Sequence, residues 1–181
     1  LSKLAKSYMA GLMKHSSEIT AVTNQWVNSY KRLVPGYEAP VYISWAAINR
    51  SDLIRVPSYK NNNEDSIRIE YRAPDASCNP YLAFSVMLTA GLAGIDGNYD
   101  VPDPVEENVY QMTQQTRLAR GIGTLPGSLG EAITITENSQ IVRQALGEHV
   151  FKSFLQNKKI EWDEYRSIVT DYELEKYLRM L

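Results

Sequence analysis

Between residues 31 and 72 the chain carries Lys31, Arg32, Glu38, Arg50, Arg55, Arg68, Glu70 and Arg72. Arg68, Glu70 and Arg72 alternate with Ile67, Ile69 and Tyr71. Side chains of an extended strand alternate faces, so two guanidiniums and a carboxylate share one side and three apolar groups the other. Neighbours on one side stand about 6.5–7 Å apart, a spacing that could line a groove. If adjacent strands pair with this one, Arg50 and Arg55 join the same surface. Arginine stays charged and grips carboxylate or phosphate through a planar fork. A carboxylate among arginines keeps a low pKa and can bind a hard cation such as Mg²⁺ or Mn²⁺. A solvated sheet face with cross-strand ion pairs would use the same residues, and the pattern leaves both readings open. A nucleic-acid groove does not fit, because no aromatic side chain interleaves with the cations on that face.

The elements that must position these groups can be read from pattern and punctuation. Leu1, Leu4, Ala5, Tyr8 and Leu12 recur at helical spacing and predict a helix to about Lys14. No initiator Met or leading cap is evident, so a fragment of a longer protein is expected. Residues 16–27 read as a further helical turn and then loop. Pro35, Gly36 and Pro40 mark 31–40 as an ordered loop. Val41–Ala47 and Leu53–Val56 read as strands, the second stopped by Pro57. Asn61–Asp65 is a polar turn. Asn79 and Pro80 form an N-cap and first-turn pair opening a long apolar helix to about Ile95. Its Tyr81, Phe84, Met87 and Leu88 are expected in the core. Ser128 with Glu131, and Thr170 with Glu173, are capping boxes. One helix follows the first box, another starts near Ser139, and Leu146–Ile168 reads as one or two helices. A helix, a block of antiparallel strands and then helices predict an α+β fold, with ligand-binding strands at about 28–75 and a helical remainder at about 79–181.

Composition narrows the classes. The chain has 181 residues, 44% hydrophobic and 22% charged, enough for one domain with a core. A net charge of −2 gives no bulk attraction to nucleic acid or anionic membrane. The uncharged run Pro80–Ile95 is shorter than the roughly 20 apolar residues that span a bilayer. A single cysteine, Cys78, rules out an internal disulfide and fits a reducing, cytoplasmic setting. Cys78, His15 and His149 read as structural or surface residues.

The string Asn28-Ser29-Tyr30-Lys31-Arg32-Leu33-Val34-Pro35-Gly36-Tyr37-Glu38-Ala39-Pro40 closely resembles the signature loop of type I glutamine synthetases. Three further blocks resemble that family in order: Asn49-Arg50-Ser51 with Ile54-Arg55-Val56-Pro57, then Arg68-Ile69-Glu70-Tyr71-Arg72, then Asn79-Pro80-Tyr81-Leu82-Ala83. Ala145-Leu146-Gly147-Glu148-His149 is similar as well. The resemblance spans essentially the whole chain and implies the C-terminal part of the catalytic half-barrel. It implies an ATP-dependent ligation of glutamate with ammonia through γ-glutamyl phosphate, using Mg²⁺ or Mn²⁺. It also implies a parent that assembles into a ring, commonly a homo-dodecamer, with an apolar terminal segment (Leu174, Tyr177, Leu178, Leu181) for docking.

By position, the resemblance gives Arg32 and Arg72 to the carboxylates of glutamate. Glu38 becomes the flap carboxylate that closes the site and takes a proton from ammonium. Arg50 would touch substrate and the transferring phosphoryl group. Arg55 and Arg68 would contact ATP, and Glu70 would ligate the metal. Gln25-Trp26 stands where many members have Pro-Thr, and Ser77-Cys78 where many have two alanines, so a larger amine is the alternative acceptor. A non-catalytic homologue is the reading from another class. The remaining metal ligands would lie outside this chain, so the fragment alone is expected to be inactive and to expose apolar surface. Tyr110 lies near an adenylylated tyrosine of one subgroup, but Gln111-Met112-Thr113 departs from that subgroup's pattern.

Overall fold

Ser2 caps the first helix, accepting the Ala5 N–H at 3.1 Å, so α1 (Lys3–Lys14) does have a leading cap. The computed structural model describes residues 1–37, 39–49, 51–57 and 67–180. Glu38, Arg50, the expected Asn61–Asp65 turn and Leu181 lie outside the described residues. The buried side of α1 holds Met9, Leu12 and Met13, while Leu4 is exposed. That departs from the stripe expected through Leu4 because α1 meets α4 (Pro80–Asp96) through small residues. A Cβ on Gly11 would stand 2.3 Å from the Ala90 carbonyl oxygen, and one on Gly94 would stand 2.1 Å from that of Ser7.

After α1 the chain forms α2 (Ser16–Thr23), two turns where one was expected, and a short α3 (Ser29–Arg32). The expected strand 41–47 is split into β1 (Tyr42–Ile43) and β2 (Trp45–Ala46). Ser44 makes the split. Its N–H donates to the Tyr42 carbonyl at 3.0 Å, a tight reversal, and its hydroxyl donates to buried Asp52. β1 pairs antiparallel with β5 (Gly123–Thr124), a strand the sequence did not suggest. β2 pairs with β3 (Ile54–Arg55), and β3 pairs antiparallel with β4 (Glu70–Tyr71). The β2–β3 ladder is parallel, so the sheet is mixed rather than wholly antiparallel. Only Glu70 and Tyr71 of the alternating segment enter a ladder.

Asn79 accepts the N–H groups of Tyr81 and Leu82, as its position before Pro80 predicts, and α4 runs to Asp96. Helices α1, α2 and α7 cover one side of α4. Its outer face leaves Tyr81, Phe84 and Leu88 exposed, contrary to the core placement expected for them. A 3₁₀ turn (Val109–Gln111) and α5 (Gln114–Ala119) follow the Pro- and Asp-rich loop. Ser128 caps α6 (Leu129–Glu137), but Glu131 accepts from Gly127 N–H at 2.8 Å rather than from the cap residue, so the box is shifted by one residue.

The expected helix near Ser139 and the 146–168 segment form one element, α7 (Gln140–Arg166), interrupted at Gly147 with φ 71° and ψ 158°. Nothing lies within 4 Å of the place a Cβ would occupy, so dihedral freedom, not space, selects glycine there. The break coincides with a side-chain bond to a helix carbonyl: Ser85 of α4 donates to Ala145 O at 2.7 Å. Thr170 and Glu173 form a full capping box for α8 (Asp171–Tyr177), whose Leu174 and Tyr177 are exposed. Together the helices and strands fit the expected α+β class. One core joins Met9, Ile19, Val22, Leu53, Ile54, Val86, Leu129 and Phe151.

The α1–α4 crossing makes a sign-reversed prediction. Gly to Ala inside a helix ordinarily stabilises by about 1 kcal/mol. Gly94→Ala should instead destabilise by about 1–3 kcal/mol, because the new methyl meets backbone that cannot yield. Urea unfolding of the variant against the wild type reads the sign directly.

Candidate functional site

The β3–β4 register sets Arg55 directly opposite Glu70. Arg68, two residues before Glu70, reaches the same carboxylate. Arg55 Nε lies 2.8 Å from Glu70 Oε2, and Arg68 Nε and Nη2 each lie 2.8 Å from Oε1. Glu70 is thus held between two guanidiniums, with Arg55 and Glu70 mostly covered and Arg68 open to solvent. Burial works to raise the Glu70 pKa, but the hydrogen bonds and charges of Arg55 and Arg68 outweigh it and hold the carboxyl below the ordinary glutamate range. On the other face Ile54 is fully buried and the Tyr71 phenol is pushed up by burial.

Arg72 leaves this cluster. Its backbone N–H donates to Leu53 O at 3.0 Å and its Nη1 to Asp52 O at 3.2 Å. The side chain lines a neighbouring cleft of about 690 Å³ with Tyr37, Asn49, Ser51, Glu106 and Tyr110. Arg32 lies behind it. Arg32 Nη1 donates to Ala73 O at 2.9 Å and Nη2 to Arg72 O at 3.3 Å, so part of its fork braces the strand that carries Arg72. The five groups expected on one surface therefore divide: Arg55, Arg68 and Glu70 meet, and Arg72 faces the cleft beside them. Arg50 and Glu38 lie outside the described residues, although the residues flanking Arg50 and the one preceding Glu38 line the cleft.

The cleft is built by loops, and each loop is tied down. Val34–Tyr37 is a turn closed by Tyr37 N–H to Val34 O at 3.2 Å, with Pro35 and Gly36 at its centre and Gly36 at φ 89°. That is the proline-then-glycine chemistry of a type II turn. The Tyr110 hydroxyl donates to Ala39 O at 3.2 Å, anchoring the far end of the same loop. Opposite it, Glu106 accepts the N–H groups of Ala47 at 2.8 Å and Ile48 at 3.2 Å. Asn49 Nδ2 donates to Glu107 O at 2.6 Å, while its Oδ1 accepts from Ser51 N–H at 3.0 Å. The β2–β3 loop is therefore fastened through Ala47, Ile48, Asn49 and Ser51. Sequence reasoning missed Glu106 and Tyr110 as walls of the site, and buried Asp52 as the residue whose carbonyl accepts from Arg72. Glu106 sat in a stretch readable only as loop, and no periodicity marks it.

Among the described residues Glu70 is the one carboxylate in the arginine cluster. Among the described residues no group of three or more His, Cys, Asp or Glu side chains converges as a metal site needs. The cluster can supply a single oxygen donor to a divalent cation whose other ligands come from elsewhere, since hard cations take six or more oxygens.

Comparison with known proteins shows what the chain is similar to. A family model described as "Glutamine synthetase, catalytic domain" matches residues 1–177. A glutamine synthetase of Mycolicibacterium smegmatis is 55% identical over 180 residues, 99% of this chain and 40% of that protein. One from Methanosarcina mazei is 54% identical over 181 residues and is likewise covered to 40%. A solved structure titled "GmaS/ADP complex-Conformation 1" superimposes with a TM-score of 0.85 at 31% identity, covering 99% of this chain and 40% of that one. The chain thus spans about 40% of the length of the relatives it matches.

The Glu70 pair can be tested by pH. A carboxyl held below its unfolded value stabilises the fold above that value and loses the contribution as pH falls through its folded value. Glu70→Gln should cost about 1 kcal/mol at pH 7. In urea melts over an acid pH series the difference from wild type should be full above the ordinary glutamate range, decline as pH falls through it, and reach zero only below the lowered folded value.

Proposed function

Because this chain belongs to the glutamine synthetase family, we propose that the whole protein joins ammonia to the side chain of glutamate at the expense of ATP. The observation that carries this reading is the pair of adjoining features on β3 and β4: an arginine-held carboxylate, and beside it a cleft walled by Arg72. Relatives named glutamine synthetase at 53–55% identity support ammonia rather than a larger amine as acceptor.

In this reading Arg32 and Arg72 hold the carboxylates of glutamate. The γ-carboxylate attacks the terminal phosphorus of ATP, giving γ-glutamyl phosphate and ADP. Ammonia then displaces phosphate. Arg55 and Arg68 hold the polyphosphate. Arg50 meets the charge that gathers on the phosphoryl oxygens, where donors fixed in advance contribute most. Glu38 closes over the pocket, takes the proton from the attacking ammonium and keeps water from the acyl phosphate. A bound Mg²⁺ or Mn²⁺, with Glu70 as one ligand, would neutralise charge on the phosphates. Among the described residues too few oxygens converge to hold that ion alone, and in this reading the rest of the protein supplies the others. The reading also carries a cytoplasmic ring oligomer, as the family resemblance implies.

The test is formation of γ-glutamyl hydroxamate from ATP, glutamate and hydroxylamine. The whole protein should form it in a divalent-cation-dependent manner, and the 181-residue chain alone should not. Arg50→Ala should lower kcat by about 10²–10³-fold. Hydroxamate formation unaffected by that substitution would refute the role given to Arg50, and its absence from the whole protein would refute the ligase reading.

A further inference from the structure

The β2 ladder ends at Ala46, whose carbonyl accepts the Val56 N–H at 2.9 Å. Beyond it burial no longer holds the chain, for Ile48 is 78% exposed although its side chain is apolar. Two adjacent main-chain N–H groups nevertheless converge on one side chain. Ala47 N–H donates to Glu106 Oε1 at 2.8 Å and Ile48 N–H to Glu106 Oε2 at 3.2 Å. A carboxylate that accepts through both oxygens fixes the direction of a segment as well as its distance, which a single bond does not. Glu106 is itself anchored on both sides. Val105 belongs to the core, and its N–H donates to Trp45 O at 2.8 Å. Glu107 O accepts from Asn49 Nδ2 at 2.6 Å, and the Glu107 carboxylate lies 3.2 Å from Arg120 Nη1 at the end of α5. Ile48, Asn49, Ser51 and Glu106 all line the cleft.

We infer that Glu106 is a positioning residue: its carboxylate holds the main chain at Ala47 and Ile48, and through that segment it sets the catalytic action of Arg50. The catalytic consequence rests on the role proposed above for Arg50. The bracing does not, since it can be measured with no ligand present. Both bonds lie at the surface, so water can replace them with little loss of stability. Water cannot hold two neighbouring N–H groups at a fixed distance from the anchored 105–107 segment. Loss of the carboxylate therefore loosens the cleft wall without unfolding the protein. A loosened donor forfeits the rate gained from being fixed in advance.

The experiment is made on the whole protein. Amide hydrogen exchange in the peptide containing Ala47 and Ile48, read by mass spectrometry, should quicken by about tenfold in Glu106→Ala. In hydroxamate formation kcat and kcat/KM should fall together by about 10–100-fold, the pattern of a contact made in the transition state. Glu106→Asp keeps the carboxylate and should recover part of both losses. In an Arg50→Ala background the same Glu106→Ala change should lower kcat by less than about twofold, because its effect passes through Arg50. Glu106→Gln keeps one acceptor and serves the same readouts if the alanine variant folds poorly. Unchanged exchange at Ala47 and Ile48 overturns the brace, whether or not the ligase reading stands. Wild-type kcat in Glu106→Ala, or a full loss added to that of Arg50→Ala, overturns the action through Arg50. Absence of hydroxamate from the wild-type whole protein counts against the ligase reading, and the exchange rates still decide the brace.

Discussion

A ladder of two residues cannot hold its own register, yet the placement of Arg55 opposite Glu70 depends on one. Isolated strand pairs are marginal in water, and these are far shorter than the usual strand. The register is imposed from outside. Arg72 ties the end of β4 to Asp52 and Leu53, Arg32 ties the next carbonyls to α3, and Asp75 N–H donates to Thr23 O at the end of α2. Helices packed by burial thus fix the strands, and the strands fix the ions.

The same economy governs the loops. Main-chain N–H groups at the cleft rim would be left to water if the loop before position 50 were loose. Glu106 takes two of them, and Asn49 returns bonds to residues 105 and 107. A proline- and acid-rich stretch without regular structure becomes a buttress because its carboxylate and carbonyls meet donors across the gap. Val105 N–H to Trp45 O at 2.8 Å and the Trp45 indole to Pro102 O at 2.6 Å continue the seam.

How much of this the sequence disclosed follows from how local each signal is. Asn79 before Pro80, Thr170 with Glu173, and Pro35-Gly36 act within a few residues, and each appears as read. The alternation at 67–72 brought Arg68 and Glu70 to one carboxylate cluster. It did not show that Arg72 would turn to a different hollow, because that depends on the carbonyl of Asp52, twenty residues away in the chain. The split at Ser44 and the parallel β2–β3 pairing were equally hidden. A buried serine–aspartate contact outweighs a continuous run of strand-forming residues, and no residue pattern announces it. The exposed face of α4 shows the converse. Apolar composition was read as core, but only one side of that helix finds neighbours here.

The interruption at Gly147 resets the phase of a long helix. Before it Val142 and Leu146 are buried; after it Phe151, Phe154, Leu155 and Lys158 are. At 3.6 residues per turn, Leu146 and Phe151 on an unbroken helix would point roughly 140° apart. One residue outside helical geometry rotates the second half so that both stripes address the same interior. One residue's dihedral pair takes the place of an inserted residue, and two helical words with incompatible reading frames become one element.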